Sequence, residues 1–243
     1  MQGTTHHPVP VEKQGTAECA QFSFSLAMRS LGIDISAQEI IDNIPVNRRP
    51  DGTLWGTSPA KIASYLLEGY PVQISALCSD LTVIDQSWKS LDANEIIQRL
   101  EAMVFRIDEL PVSNITRDNV ELYAKDYIAF LKSGGNIQVG PITSAAIKKA
   151  LHNGPVVAAV AAQHFYENLG RLVYRKDDIG VNDSITGRPG THMVVISGYR
   201  EKDFTVVDPE YASENKYSFE HIVTSIAAAQ IESDNVVYCL SKK

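Results

Sequence analysis

The chain changes character near its middle. Up to about residue 135, apolar residues recur at three- and four-residue steps, the spacing that lines one side of a helix. Beyond that point, residues 155–162 and 192–199 are almost continuous apolar runs and read as strands buried on both faces. Helices gathered in one half and strands in the other predict an α+β fold rather than a parallel βαβ array. With 243 residues, 44% of them hydrophobic, the chain can bury a sizeable core. No internal repeat or low-complexity linker divides it. We expect one domain over 1–243, with an extended lead-in (1–13), a helical lobe (14–135) and an antiparallel sheet lobe (136–243).

Local signals mark the elements. A first helix is expected over 19–31, with Ala20, Phe24, Ala27, Met28 and Leu31 on one face and Gly32 as its stop. Ser36 and Glu39 predict a capping box for a second, short helix. Residues 47–56, with Pro50, Asp51 and Gly52, read as a surface loop carrying Trp55. Ser58 and Pro59 open a third helix, with Gly69 past its end. A strand over 72–77 precedes a mainly helical stretch, 80–135. There Asp92 and Glu95 open one helix, and Gly134-Gly135 closes another that begins near Arg117. Later expectations are a helix over 143–152, a strand over 171–175, a loop over 177–189, a strand over 204–207, a helix over 218–228 and a strand over 235–240.

Composition removes several classes of function. The net charge is -7 and no basic run is interleaved with aromatics, so no nucleic-acid partner is expected. No apolar run is long enough to span a bilayer and no secretory signal opens the chain, so a cytoplasmic protein without a membrane partner is expected. The cysteines, Cys19, Cys78 and Cys239, are odd in number and follow no metal spacing. That pattern predicts reduced thiols in a reducing compartment, with no disulfide framework, metal or other cofactor. Cys78 and Cys239 sit in strand-like runs and read as core.

Cys19 differs from the other two because it opens an amphipathic helix. The unpaired N–H groups and dipole at a helix start favour a thiolate, the form that attacks a carbonyl. His192 stands at the head of a buried strand, after Gly190-Thr191, where its ring can face a cleft edge. Asp208 ends the next strand. Two antiparallel neighbours joined by a short turn bring residues near their open ends together, so Asp208 can accept from His192 and fix its tautomer. Gln14 lies one short loop before Cys19. Its side-chain NH2, with the backbone N–H of Cys19, can hold an oxyanion. Each residue alone is more often structural; the set in the order Gln, Cys, His, Asp points to catalysis. Trp55 is expected at the rim of the substrate cleft, and His164, which follows a buried run, is the rival base and a candidate cleft-lining residue.

These residues resemble the papain-like cysteine peptidase superfamily. Gln14 and Cys19 at a helix head, Gly154-Pro155-Val156-Val157, and then Gly190-Thr191-His192-Met193-Val194-Val195-Ile196-Ser197-Gly198-Tyr199 follow its order. Val207-Asp208-Pro209 and the start at Tyr217-Ser218-Phe219 are similar to the bacterial branch that trims double-glycine leader peptides and to its stand-alone relatives. Ala20 stands where the family usually has Gly, and the stretch 80–135 is longer than a minimal leader peptidase needs. The resemblance implies a helical lobe carrying the thiol, a sheet lobe carrying His192 and Asp208, and thiol-dependent cleavage of an amide bond in a peptide or protein substrate. The same fold and triad also serve acyl transfer and glutamine deamidation. A non-catalytic peptide-binding module is the third reading.

Overall fold

The computed structural model describes every residue except 1–3, 49–51, 53, 80–81, 111–113, 175–179 and 230–234. Residues 4–13 of the lead-in are extended and carry a two-residue strand, β1 (Thr5–His6). Helix α1 (Cys19–Ser30) buries Ala20, Phe24, Ala27 and Met28, and the chain leaves it through Gly32 at φ +72°. Helix α2 (Ala37–Asn43) is capped by the Ser36 hydroxyl, which accepts from the Glu39 N–H at 3.0 Å. The Glu39 carboxylate takes the Tyr70 hydroxyl instead of returning to the cap. The stretch expected as a loop at 47–56 contains a small hairpin of β2 (Asn47–Arg48) and β3 (Leu54–Gly56); Pro50 and Asp51 lie outside the described residues.

Helix α3 (Pro59–Gly69) starts with proline, whose missing N–H costs nothing there. Ser58 occupies the cap position without making a side-chain cap bond, and Gly69 is the last helical residue rather than the stop. Strand β4 (Val72–Cys78) follows, then α4 (Ala93–Phe105), where Asp92 and Glu95 make both halves of the capping box. Helix α5 (Asn114–Lys132) ends at Gly134, φ +90°, with the Gly135 N–H returned to the Phe130 carbonyl at 2.9 Å.

The second half holds β5 (Asn136–Val139), α6 (Ser144–Ala150), β6 (Val156–Ala161) and a single turn, α7 (Ala162–Phe165). A hairpin of β7 (Leu172–Tyr174) and β8 (Gly180–Asn182) comes next, inside the span expected to be a strand and then a loop. Arg175 and residues 177–179 of that expectation lie outside the described residues. The chain finishes with β9 (Thr191–Arg200), β10 (Asp203–Asp208), β11 (Ser213–Ser218), α8 (Phe219–Ala227) and β12 (Val236–Lys242).

Among the described residues, one sheet of eight strands runs β11-β10-β9-β6-β12-β4-β5, with β1 added on β9. All its pairings are antiparallel except β4 with β5, so the fold is α+β with a mainly antiparallel sheet. The division of the chain at residue 135 is not a boundary of the sheet. β4, from the helical half, pairs with β12 along its whole length and knits β5 to the rest.

Alternation along the central strands sends side chains to two cores. Val157, Ala159, Met193, Val195 and Tyr238 pack with Phe24, Ala27 and Met28 of α1. Val156, Ala158, Val160, Val194 and Ile196 pack with Ile147 of α6 and Ile222 and Ile226 of α8. Among the described residues no helix is long and apolar enough to cross a membrane.

Register is the feature of this sheet that matters most for chemistry. β9 and β10 pair Tyr199 with Phe204 and Gly198 with Thr205, then shift by one residue so that Ile196 faces Val206 and Val195 faces Val207. Ser197 is the extra residue of a bulge. A one-residue shift moves every later side chain to the opposite face of the sheet. Continued past Val207, the shifted register sets Asp208 across from Val194, on the same face as His192. Without the bulge it would oppose Val195 and point the other way.

Candidate active site

Cys19 is the first residue of α1 and half-buried. Ala17, two residues before it, has φ +61°, a left-handed conformation that a non-glycine residue adopts at a cost of about 1–2 kcal/mol. This bend brings the chain sharply into the helix start. The Glu18 carboxylate folds back onto the Gly15 N–H at 3.0 Å and so points away from the thiol, as its charge requires. One turn further along the same helix face, the Ser23 hydroxyl donates to the Met193 carbonyl at 3.0 Å. That bond ties α1 to β9 beside His192. Gln21 donates to the Ile44 carbonyl at 3.0 Å and to the Thr57 hydroxyl at 2.7 Å, holding the end of the β2–β3 hairpin against the helix start.

His192 is buried, and its Nε2 lies 2.8 Å from Asp208 Oδ1. Its other hydrogen-bond partner is the Cys19 thiol. Since Nε2 is occupied by Asp208, Nδ1 is the nitrogen left for sulfur. Burial works against the imidazolium, but the hydrogen bonds and charges of Asp208 and Cys19 outweigh it, and the ring's pKa rises to about 9.

Asp208 is fully committed. Oδ1 accepts from His192 and from the Glu210 N–H at 2.9 Å, and Oδ2 accepts from the Tyr166 hydroxyl at 2.9 Å. Burial pushes its carboxyl up; His192, the Glu210 N–H and Tyr166 more than offset this and hold it below the usual carboxylate range. Tyr166 is itself pushed well above an ordinary phenol, by burial first and then by the Asp208 charge, so it remains a donor.

Gln14, Cys19, Trp55 and His192 line one cleft of about 800 Å³. Leu54 and Trp55 come from the β2–β3 hairpin, Leu122 and Tyr123 from α5, and Leu172 and Val173 from the β7–β8 hairpin. The helical stretch 80–135 thus reaches the cleft through α5. His164 does not line it. α7 is helical, so while Ala162 and Tyr166 face the cleft, His164 turns outward, exposed, and stacks on His221 with ring centres 5.5 Å apart. The expectation that His164 lines the cleft or serves as base is corrected on that ground.

Of the other cysteines, Cys78 is buried. Cys239 is half-buried, and burial raises its thiol to about 11 although a Ser75 hydrogen bond pulls the other way.

Tyr166, Glu210 and Ser23 were not legible as functional. Tyr166 and Glu210 are single polar residues beside named ones (His164 and Asp208). Ser23 carries one signal that can be read in sequence: it stands four residues after Cys19, hence on the same helix face.

Comparison with known proteins adds little to this geometry. No protein-family model matches the chain, and no curated protein matches its sequence. A crystal structure from Bacillus anthracis named as a C39-like peptidase aligns over 99% of this chain and 98% of its own, with a TM-score of 0.44 and 13% identity. An overlap that loose transfers no residue role.

Proposed function

We propose that the chain is a papain-like cysteine-dependent hydrolase that cleaves a peptide or amide bond through Cys19, His192 and Asp208. The observation that carries the proposal is the continuous run from the Cys19 thiol to the His192 ring to the Asp208 carboxylate, at the wall of a cleft. Each member has the environment its role needs. The thiol stands at a helix start beside a ring whose pKa favours the imidazolium. The ring has one nitrogen toward sulfur and the other toward a carboxylate that cannot turn away.

In this reading the Cys19 thiolate attacks the scissile carbonyl carbon. Negative charge collects on the carbonyl oxygen, where the Cys19 backbone N–H and the Gln14 side-chain amide receive it. The imidazolium then gives its proton to the departing amine, leaving a thioester on Cys19. Neutral His192 next takes a proton from the water that attacks the thioester, and the carboxylic acid leaves as the thiol is restored. Asp208 keeps the ring oriented throughout. The cleft, walled by Trp55, Leu122, Leu172 and Val173, suits an extended peptide with apolar side chains.

The test is mass spectrometry of peptide mixtures incubated with the wild type and with Cys19→Ala. Cleavage by the wild type alone supports the proposal. A one-dalton deamidation shift or an amine adduct would move the same triad to deamidation or acyl transfer. Peptides left unchanged by both proteins would overturn the enzymatic reading in favour of a binding module.

A further inference from the structure

The turn that carries the orienting carboxylate also grips the proposed oxyanion donor. Asp208, Pro209 and Glu210 follow one another at the end of β10. The Pro209 carbonyl accepts from the Gln14 backbone N–H at 2.9 Å, and the Glu210 carboxylate accepts from Gln14 Nε2 at 2.8 Å. The Glu210 N–H meanwhile holds Asp208 Oδ1 at 2.9 Å. Both Gln14 and Glu210 line the cleft that contains Cys19 and His192. A second observation makes this grip informative: Gln14 Oε1 is buried and has no hydrogen-bond partner among the described residues. A buried amide oxygen left unpaired is unfavourable, so something must hold the amide in that orientation.

We infer that Glu210 is a positioning residue, whose carboxylate decides which end of the Gln14 amide faces the cleft. The two ends of a glutamine amide are nearly the same shape, and they differ only in that one donates and the other accepts. An ionised carboxylate can only accept. It therefore binds the NH2 end and repels the oxygen end. One N–H is spent on Glu210, and the second is kept on the side where an oxyanion forms. A flipped amide would set its oxygen lone pairs against the Glu210 carboxylate and present an acceptor where a donor is needed. This role deepens the hydrolase reading and rests on it for its consequence in turnover, but not for the contact itself.

The experiment has two arms. In the first, the side-chain amide signals of Gln14 are assigned by ¹⁵N–¹H correlation spectra of the wild type and Gln14→Ala. In Glu210→Ala they are expected to shift away from their wild-type positions, and in Glu210→Gln to return most of the way. A Gln14 signal indifferent to Glu210 would overturn the inference whether or not the protein is a hydrolase. In the second arm, a cleaved peptide is followed with Glu210→Ala, Glu210→Gln and Gln14→Ala. Glu210→Ala is expected to lower kcat about tenfold with KM unchanged, a fraction of the loss typical for removing an oxyanion donor outright.

Glu210→Gln, which can still accept through its own amide oxygen, is expected to return most of that rate. In the Gln14→Ala background, Glu210→Ala should cost nothing further. Fully additive losses would show that Glu210 does not act through Gln14. A changed pH dependence of Cys19 alkylation in Glu210→Ala would instead show that it acts through Asp208. Failure of the hydrolase reading is seen separately, as turnover that survives Cys19→Ala.

Discussion

Asp208→Asn removes a charge from the site while keeping its shape, and so isolates what that charge does. The asparagine oxygen can still accept from His192 and the Glu210 N–H. Its NH2 can donate to the Tyr166 hydroxyl, which accepts as well as donates. What disappears is the negative charge beside a ring that burial would otherwise keep neutral. His192 lies at about 9 against an ordinary value of 6.5. That difference corresponds to about 3 kcal/mol in favour of the imidazolium. A unit charge about 4–5 Å away, at an effective dielectric near 20, contributes about 3–4 kcal/mol, a large share of what offsets burial alongside the Cys19 contact. The variant should therefore favour the neutral ring and lower the population of the thiolate–imidazolium pair near neutral pH by up to about a hundredfold.

The assay is the rate of iodoacetamide alkylation of Cys19 against pH, with the modified residue located by peptide mass. An alkylation rate near neutral pH that is unchanged in Asp208→Asn would refute the argument, because the charge would then not be what sustains the ion pair. Unfolding by urea checks the same point by linkage. The folded-state pKa of His192 is raised, so its contribution is fully present below about 6.5 and is lost as pH rises toward about 9. Asp208 is lowered, so its contribution is present above the ordinary 3.8 and lost as pH falls. The pair should stabilise the wild type most between these limits, and the variant's stability should be flatter across them.

Three further outcomes are expected. Under limiting iodoacetamide at pH 6, Cys19 should be labelled first, with Cys78 excluded by burial and Cys239 held protonated at about 11; prior labelling of either would reverse the assignment. Tyr166→Phe leaves Asp208 Oδ2 without its donor and should cost about 1–3 kcal/mol in urea unfolding at pH 7, with the deficit shrinking below pH 4 as the carboxylate is neutralised; a loss independent of pH would mean that only packing changed. Gly198→Ala puts a Cβ 2.2 Å from the Thr5 carbonyl oxygen, so β1 must detach or shift; a fall in stability of about 1–3 kcal/mol by thermal unfolding is expected, and an unchanged Tm would contradict the close approach of the lead-in.

Much of the site was readable because it is built from local signals. A helix start at Cys19, a strand head at His192 and a strand end at Asp208 follow from periodicity and from the turn between the last two. The cleft position of Trp55 followed from a turn-rich segment with one large aromatic. His164 was misplaced because a buried run gives no sign of where a strand becomes a helical turn, and the turn at α7 rotates that ring outward. β11 was unread for a related reason. Ser213–Ser218 has no apolar alternation, and its strand exists only because β10 offers it a pairing edge.

The sequence by itself determined that a thiol would open a helix, that an imidazole and a carboxylate would stand at neighbouring strand ends, and that the fold would be α+β, since capping, periodicity and turns are properties of adjacent residues. Only the tertiary structure decided which faces those side chains share. The bulge at Ser197 turns Asp208 onto the face of His192, the Ser23 hydroxyl fixes α1 against β9, and the Asp208–Glu210 turn meets Gln14. Each of these depends on register or contact between segments far apart in the chain, and a one-residue change in register would leave every local signal intact while separating the three groups.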